Sequence, residues 1–174
     1  PKELAVRSHA VYTLSGEGSI TVPVGTWDIM ASHGIEWSID TTTLTFNEGE
    51  TQTWNATLTH EVDTSDWVSG DFHLHTLTFS GHGDSNMNER IISIVGEGLE
   101  FAVATDHNHN TDYQPIIDGL GANEYITAVV GNEVSSPYGH LNAFPLDADA
   151  EVVNQNLEAP ELFALIRAEK NPSG

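Results

Sequence analysis

Residues 70–76 read Gly70-Asp71-Phe72-His73-Leu74-His75-Thr76 and mark the point at which the chain changes grammar. Side chains alternate between the faces of a strand, so Phe72 and Leu74 share one side while His73 and His75 share the other. The stretch therefore predicts a short strand that delivers two imidazoles to one place. Downstream, strand and helix patterns alternate. Asn88 to Val95 spaces Ile91, Ile92 and Val95 along one helical face, and Gly96 and Gly98 act as stop signals. Phe101 to Ala104 predicts a second strand, a short helix follows around Pro115 to Gly119, and Ile126 to Val130 predicts a third strand. A last helix opens near Pro160, carries Leu162, Leu165 and Ile166 on one face, and stops before Pro172. Such alternation implies a parallel sheet or barrel, and these units are too few to close one.

Upstream, residues 1 to about 67 read as all-β. Ile20, Val22 and Val24 alternate with Thr21 and Pro23, and Ile35, Trp37 and Ile39 alternate with Glu36, Ser38 and Asp40. Leu44 and Phe46 alternate with threonines, as Trp54, Ala56 and Leu58 do with Thr53, Asn55, Thr57 and Thr59. Period-two patterning rich in Thr and Trp marks half-buried antiparallel strands. Turn signals at Ser15-Gly16-Glu17-Gly18, His33-Gly34 and Asn47-Glu48-Gly49 separate them. The expected fold class is β followed by α/β: a small antiparallel β-sandwich over 1–67, then an incomplete barrel over 68–174. Pro1 is a poor translational start and 171–174 reads as a cut, so segments are expected to have been removed at the ends.

The chain has 174 residues, a net charge of −21 and 39% hydrophobic residues, which suits a folded and strongly acidic protein. Arg90 is the sole Lys or Arg between residues 8 and 166. Such a field repels nucleic acid and anionic membranes, leaving a small molecule as the expected partner. A pocket for polyanions would need bound metal to supply positive charge. With no cysteine, disulfides, thiolate ligands and cysteine nucleophiles are excluded. No apolar stretch has transmembrane length and no signal peptide opens the chain.

Six of the nine histidines fall between residues 73 and 140. Neutral imidazoles and carboxylates are ligands for zinc, manganese or iron. A His-x-His pair alone is more often two ordinary strand histidines. Here, though, His107 follows the second apolar run and Glu133 follows the third, so candidate ligands recur at three successive strand ends. Glu133 has two oxygens and can bridge two cations. His140 lies beyond the turn Ser135-Ser136-Pro137-Tyr138-Gly139, which can return it beside Glu133. His82 and Asp84 occupy the loop after the first strand, and either suits a further ligand. Asp71 and Asp106 neighbour ligand positions, where a carboxylate can orient an imidazole through its other nitrogen. His109 suits either a substrate contact or an exposed loop position, the second being the expectation, and His9, His33 and His60 read as surface residues.

Asp71-Phe72-His73-Leu74-His75-Thr76, Thr105-Asp106-His107-Asn108, Gly131-Asn132-Glu133-Val134 and Gly139-His140-Leu141-Asn142, in this order, resemble the polymerase and histidinol phosphatase (PHP) superfamily. Ser80-Gly81-His82-Gly83-Asp84-Ser85 and Gly139-His140-Leu141-Asn142-Ala143-Phe144-Pro145 are similar to its carbaryl-hydrolase-like branch, whose accessory domain the β-segment resembles. The dense match covers residues 69 to 146. The resemblance implies the N-terminal part of a distorted (β/α)7 barrel over 68–174, with two or three divalent ions and a bridging hydroxide as nucleophile. By position, His73, His75 and Glu133 would hold one ion, Glu133 and His140 a second, and His107 with His82 or Asp84 a third. Glu133 and Asp106 become the expected catalytic carboxylates. The family pattern continues with a later histidine and a C-terminal Asp element, and neither occurs before Gly174.

The expected function is thus metal-dependent hydrolysis of a phosphoester, carboxylic ester or carbamate, in an extracytoplasmic protein. The alternative is a non-catalytic binding module made of a β-sandwich and a degenerate or truncated barrel.

Overall fold

A computed structural model describes residues 4–7, 9–152 and 156–169. The chain begins with two antiparallel hairpins. The first pairs β1 (Leu4–Arg7) with β2 (Ala10–Thr13), and the second pairs β3 (Gly25–Ala31) with β4 (Asp40–Phe46). In the second hairpin Trp27, Ile29, Leu44 and Phe46 occupy alternate positions on the half-buried face, as the period-two pattern requires.

The rest is built on three parallel strands, β5 (Gly70–Leu74), β6 (Phe101–Ala104) and β7 (Thr127–Val130), in the order β5-β6-β7. Between β5 and β6 run a short helix, α1 (Leu77–Ser80), and α2 (Met87–Gly96). Asn86 and Glu89 close α2 with reciprocal side-chain and backbone hydrogen bonds, which satisfy two of its orphan amides. Between β6 and β7 runs α3 (Gln114–Leu120), with Pro115 in its first turn. Leu74, Ile91, Ile94, Val95, Ala102, Ala104, Tyr113, Ile117 and Ile126 form one buried cluster across sheet and helices. An antiparallel hairpin follows, β8 (Asn132–Ser136) with β9 (Gly139–Ala143). Its buried Val134 and Ala143 pack with Leu162 of α4 (Ala159–Glu169), the last element. The stop expected before Pro172 lies outside the described residues. No helix among them is long and apolar enough to cross a membrane.

The expected small β-sandwich followed by an incomplete PHP-type (β/α)7 barrel is not what forms. The parallel sheet stops at three strands and is open, and the remaining strands are antiparallel pairs. The chain runs on through Gly131 without a turn, since the register that pairs β6 with β7 continues as a parallel bridge from His107 to Glu133. A side chain at Gly131 would sit 2.7 Å from the Ala104 carbonyl oxygen and 3.2 Å from that of Ala143, so glycine lets these backbones pack closely. The chain then enters a hairpin instead of the helix that would carry it to a fourth parallel strand.

Upstream, the two hairpins belong to separate two-stranded sheets and do not form a sandwich. The runs at Ile20–Val24 and Trp54–Thr59 form no ladder, and Trp37 makes a single bridge to His60. Side chains take the place of strand partners: the Thr57 amide donates to Asp40 Oδ2 and the Thr59 amide to Ser38 Oγ, each at 2.8 Å. The first hairpin packs on α2. Arg7 forms a two-pronged pair with Glu89, Leu14 joins the main cluster, and the Tyr12 ring lies against Gly96. His33, read from sequence as a surface residue, is half-buried and its Nδ1 meets the Gly96 carbonyl at 3.1 Å.

Candidate metal centre

The site sits where β5, β6 and the β8–β9 hairpin meet. Backbone pairing does the positioning. A parallel bridge sets His107 beside Glu133, with the Glu133 amide donating to the Asp106 carbonyl and the Asn108 amide to the Glu133 carbonyl. Asn108 holds a positive φ of 53° and its side chain clasps Ser135 through the Ser135 amide and hydroxyl, which ties this loop to the hairpin. Within the hairpin Glu133 faces Asn142 and Ser135 faces His140, so Glu133 and His140 are diagonal neighbours on one face. On β5 the register slips by one residue between Asp71 and Leu74, and Asp71 Oδ1 accepts from the His73 amide. Such a bulge re-aims a side chain. His73 turns toward the centre along with His75.

Glu133 is the hub. Its side chain is 4% exposed, while those of His75 and His107 are 21% exposed and those of His73 and His140 about half exposed. Oε2 lies 2.9 Å from His75 Nε2, 3.1 Å from His73 Nε2 and 3.4 Å from His107 Nδ1, and Oε1 lies 2.8 Å from His140 Nδ1. Burial pushes the Glu133 carboxyl up, but hydrogen bonds to His73 and His140 and the charge of His107 outweigh it and hold the group below the usual range. Burial, joined by the neighbouring imidazoles, holds His75 below its ordinary value against the pull of Glu133. That favours the neutral form a metal requires.

Three overlapping triads bring their ligand atoms within 4.8 Å of one another: His73, His75 and Glu133; His107, Glu133 and His140; His75, His82 and His107. His82 stands 5.0 Å from the His75 ring and 4.9 Å from that of His107. Asp84 turns away, 74% exposed and 3.8 Å from Arg7. Of the two loop candidates, the structure brings His82 into the cluster and leaves Asp84 outside it.

Asp106 is fully buried and touches no imidazole. It accepts from the Thr76 amide and hydroxyl and from the hydroxyls of Ser80 and Thr111. Ser80 in turn contacts His75 Nδ1 and the His107 amide, each at 3.1 Å. The sequence assigns no role to the hydroxyls of Ser80 and Thr111, because a lone hydroxyl carries no signal of a buried partner. His109, expected to be an exposed loop residue, is half-buried and lies outside the cluster, stacked on Phe79 at 3.7 Å.

Two observations test whether a cation suits this set. His107 Nδ1 is buried and has no hydrogen-bond partner, although a carboxylate oxygen stands 3.4 Å away. The Nε2 atoms of His73 and His75 approach each other to 3.0 Å while both face Glu133 Oε2. Converging lone pairs repel unless a proton or metal ion lies between them. The cluster around His75, His107, Glu133 and His140 could hold a metal ion. No protein-family model matches the chain, and neither a curated protein nor a solved structure matches it.

Proposed function

We propose that this centre holds divalent ions, zinc, manganese or iron, and serves the hydrolysis of an ester-type bond in a small molecule. The buried, unpartnered His107 Nδ1 beside Glu133 carries this reading, because a polar atom removed from water without a partner is costly and a bound cation supplies one. The three triads offer room for more than one ion, with Glu133 directing one oxygen to each of two of them.

A bound divalent ion supplies Lewis acidity and brings the pKa of water near neutrality. The chain's own residues do the rest. Glu133 offsets the positive charge and keeps the ligands in register through the two bridged strands. His73 and His140, half exposed, form the open side through which substrate approaches. The chain has 26 acidic against five basic residues, which disfavours polyanions and favours weakly charged esters or carbamates.

The test is elemental analysis of protein purified without chelator, followed by turnover of model esters and phosphoesters before and after metal removal. The expected result is bound metal and turnover that is lost with the metal and restored on its return. Protein that takes up neither zinc nor manganese overturns the reading. Tight binding without turnover of any ester would instead mark a non-catalytic metal-binding module.

A further inference from the structure

The buried carboxylate of Asp106 ends two hydroxyl relays, each leading to a histidine. On one side the Ser80 hydroxyl lies 2.6 Å from Asp106 Oδ1 and 3.1 Å from His75 Nδ1. On the other the Thr111 hydroxyl lies 3.1 Å from Asp106 Oδ2 and 3.0 Å from His109 Nδ1. A hydroxyl has one proton to give. Ser80 spends it on the carboxylate, which only accepts, so toward His75 the oxygen is left as an acceptor. It also accepts from the His107 amide.

We propose that Ser80, oriented by Asp106, is a positioning residue that fixes His75 as the Nδ1–H tautomer. The bare Nε2 is thereby turned toward Glu133 Oε2, 2.9 Å away. An imidazole free to choose would put a proton on Nε2 and donate it to that carboxylate, closing the site to a cation. The Ser80 relay denies it that choice. Other bonds hold the ring's base in place: Arg90 Nε donates to the His75 carbonyl at 3.0 Å, and the next residue, Thr76, gives its amide to Asp106 at 2.7 Å. Thr111 does for His109 what Ser80 does for His75, so His109 also carries its proton on Nδ1.

The tautomer belongs to the metal-free chain, and only its effect on affinity rests on the metal reading above. Long-range nitrogen–proton NMR correlations on metal-free, nitrogen-15-labelled protein above the imidazole pKa read it directly. Wild type is expected to show the Nδ1–H form at His75 and His109. Ser80→Ala should shift His75 toward Nε2–H and leave His109 unchanged, while Ser80→Thr, which keeps the hydroxyl, should restore the wild-type pattern. In chelator competition, zinc affinity should fall about 10–100-fold in Ser80→Ala and stay within about threefold in Ser80→Thr. An Nε2–H His75 in wild type overturns the proposal. So does a Ser80→Ala variant that loses zinc with its tautomer unchanged, which would mean that Ser80 only supports the loop. Wild type with the Nδ1–H signature but no zinc binding overturns the metal reading and leaves this inference standing.

Discussion

The two ends of this molecule use similar amounts of patterned sequence to opposite effect. Among the described residues before Gly70, Ala5 is the only buried one, while Ile35, Val24 and Met30 are 98%, 65% and 64% exposed. From Leu74 onward, Ile91, Ala102, Val103, Ala104, Ile117 and Val134 have no exposed surface to within 1%. Period-two alternation gives a strand an apolar face but does not supply what covers it. The β1–β2 hairpin lies on α2, but the β3–β4 hairpin has a face and no opposing layer. The β5–β7 sheet has α2 and α3 against it, and this rigid half carries the ligand cluster.

Truncating one isoleucine in each region tests the contrast most strongly. Ile91→Ala, in the closed core, should cost about 2–5 kcal/mol, whereas Ile29→Ala, on the half-buried hairpin face, should cost about 1 kcal/mol or less. Urea unfolding followed by fluorescence reads both. Equal costs would mean that the first hairpins are covered as fully as the core. Glu133→Gln keeps the hub's shape and removes its charge. Metal affinity in chelator competition should fall more than about 100-fold, beyond the range of changes to groups that merely support ligands, while far-ultraviolet circular dichroism stays unchanged. Retained affinity would place the binding elsewhere in the chain.

A seam between the halves lies at Gly34, which has a φ of +75° and whose added Cβ would fall 2.0 Å from the Glu97 carbonyl oxygen. Gly34→Ala should cost about 1–3 kcal/mol in urea and leave metal affinity untouched, because the seam lies away from the ligands. A matching loss of metal would show that the upstream half shapes the site. The smallest effect is at Arg7–Glu89, where the hydrogen bond from Arg7 holds the Glu89 carboxyl below the usual range. A depressed folded-state pKa stabilises above the unfolded value and loses that contribution as pH falls through the folded one. Glu89→Gln keeps the helix cap but loses the charge, so its deficit should be about 1 kcal/mol or less near neutrality, since the pair is partly exposed. The deficit should vanish on acidification, as melting curves across pH would show. A deficit that persists in acid would belong to the cap instead.

Much of the second half was legible in the sequence because local rules govern it. The strand over Phe101–Ala104, the helix with Ile91, Ile92 and Val95 inward, and the convergence of His73, His75, His107, Glu133 and His140 all follow from spacing and turn signals. The open sheet was not legible, because closure depends on where the chain goes after β7, and there the β8–β9 hairpin stands in place of a crossover helix. The sandwich failed for a related reason: Asp40 and Ser38 capture the amides that a strand at Thr57–Thr59 would have shared. The choice between His82 and Asp84 needed Arg7, which is remote in sequence and draws the aspartate off.

The pairing of His73 with Glu133 spans 60 residues of chain. An ion held by both would act as a removable cross-link, closing a loop that encloses β6, β7 and the helices α1, α2 and α3. These ligands come together only in the folded chain, so the ion binds that state and not the unfolded one. Loading would therefore raise the melting temperature in step with free-ion concentration. The same protein would be sturdier in a metal-rich compartment than in a metal-poor one, with no change in its contacts away from the ligands.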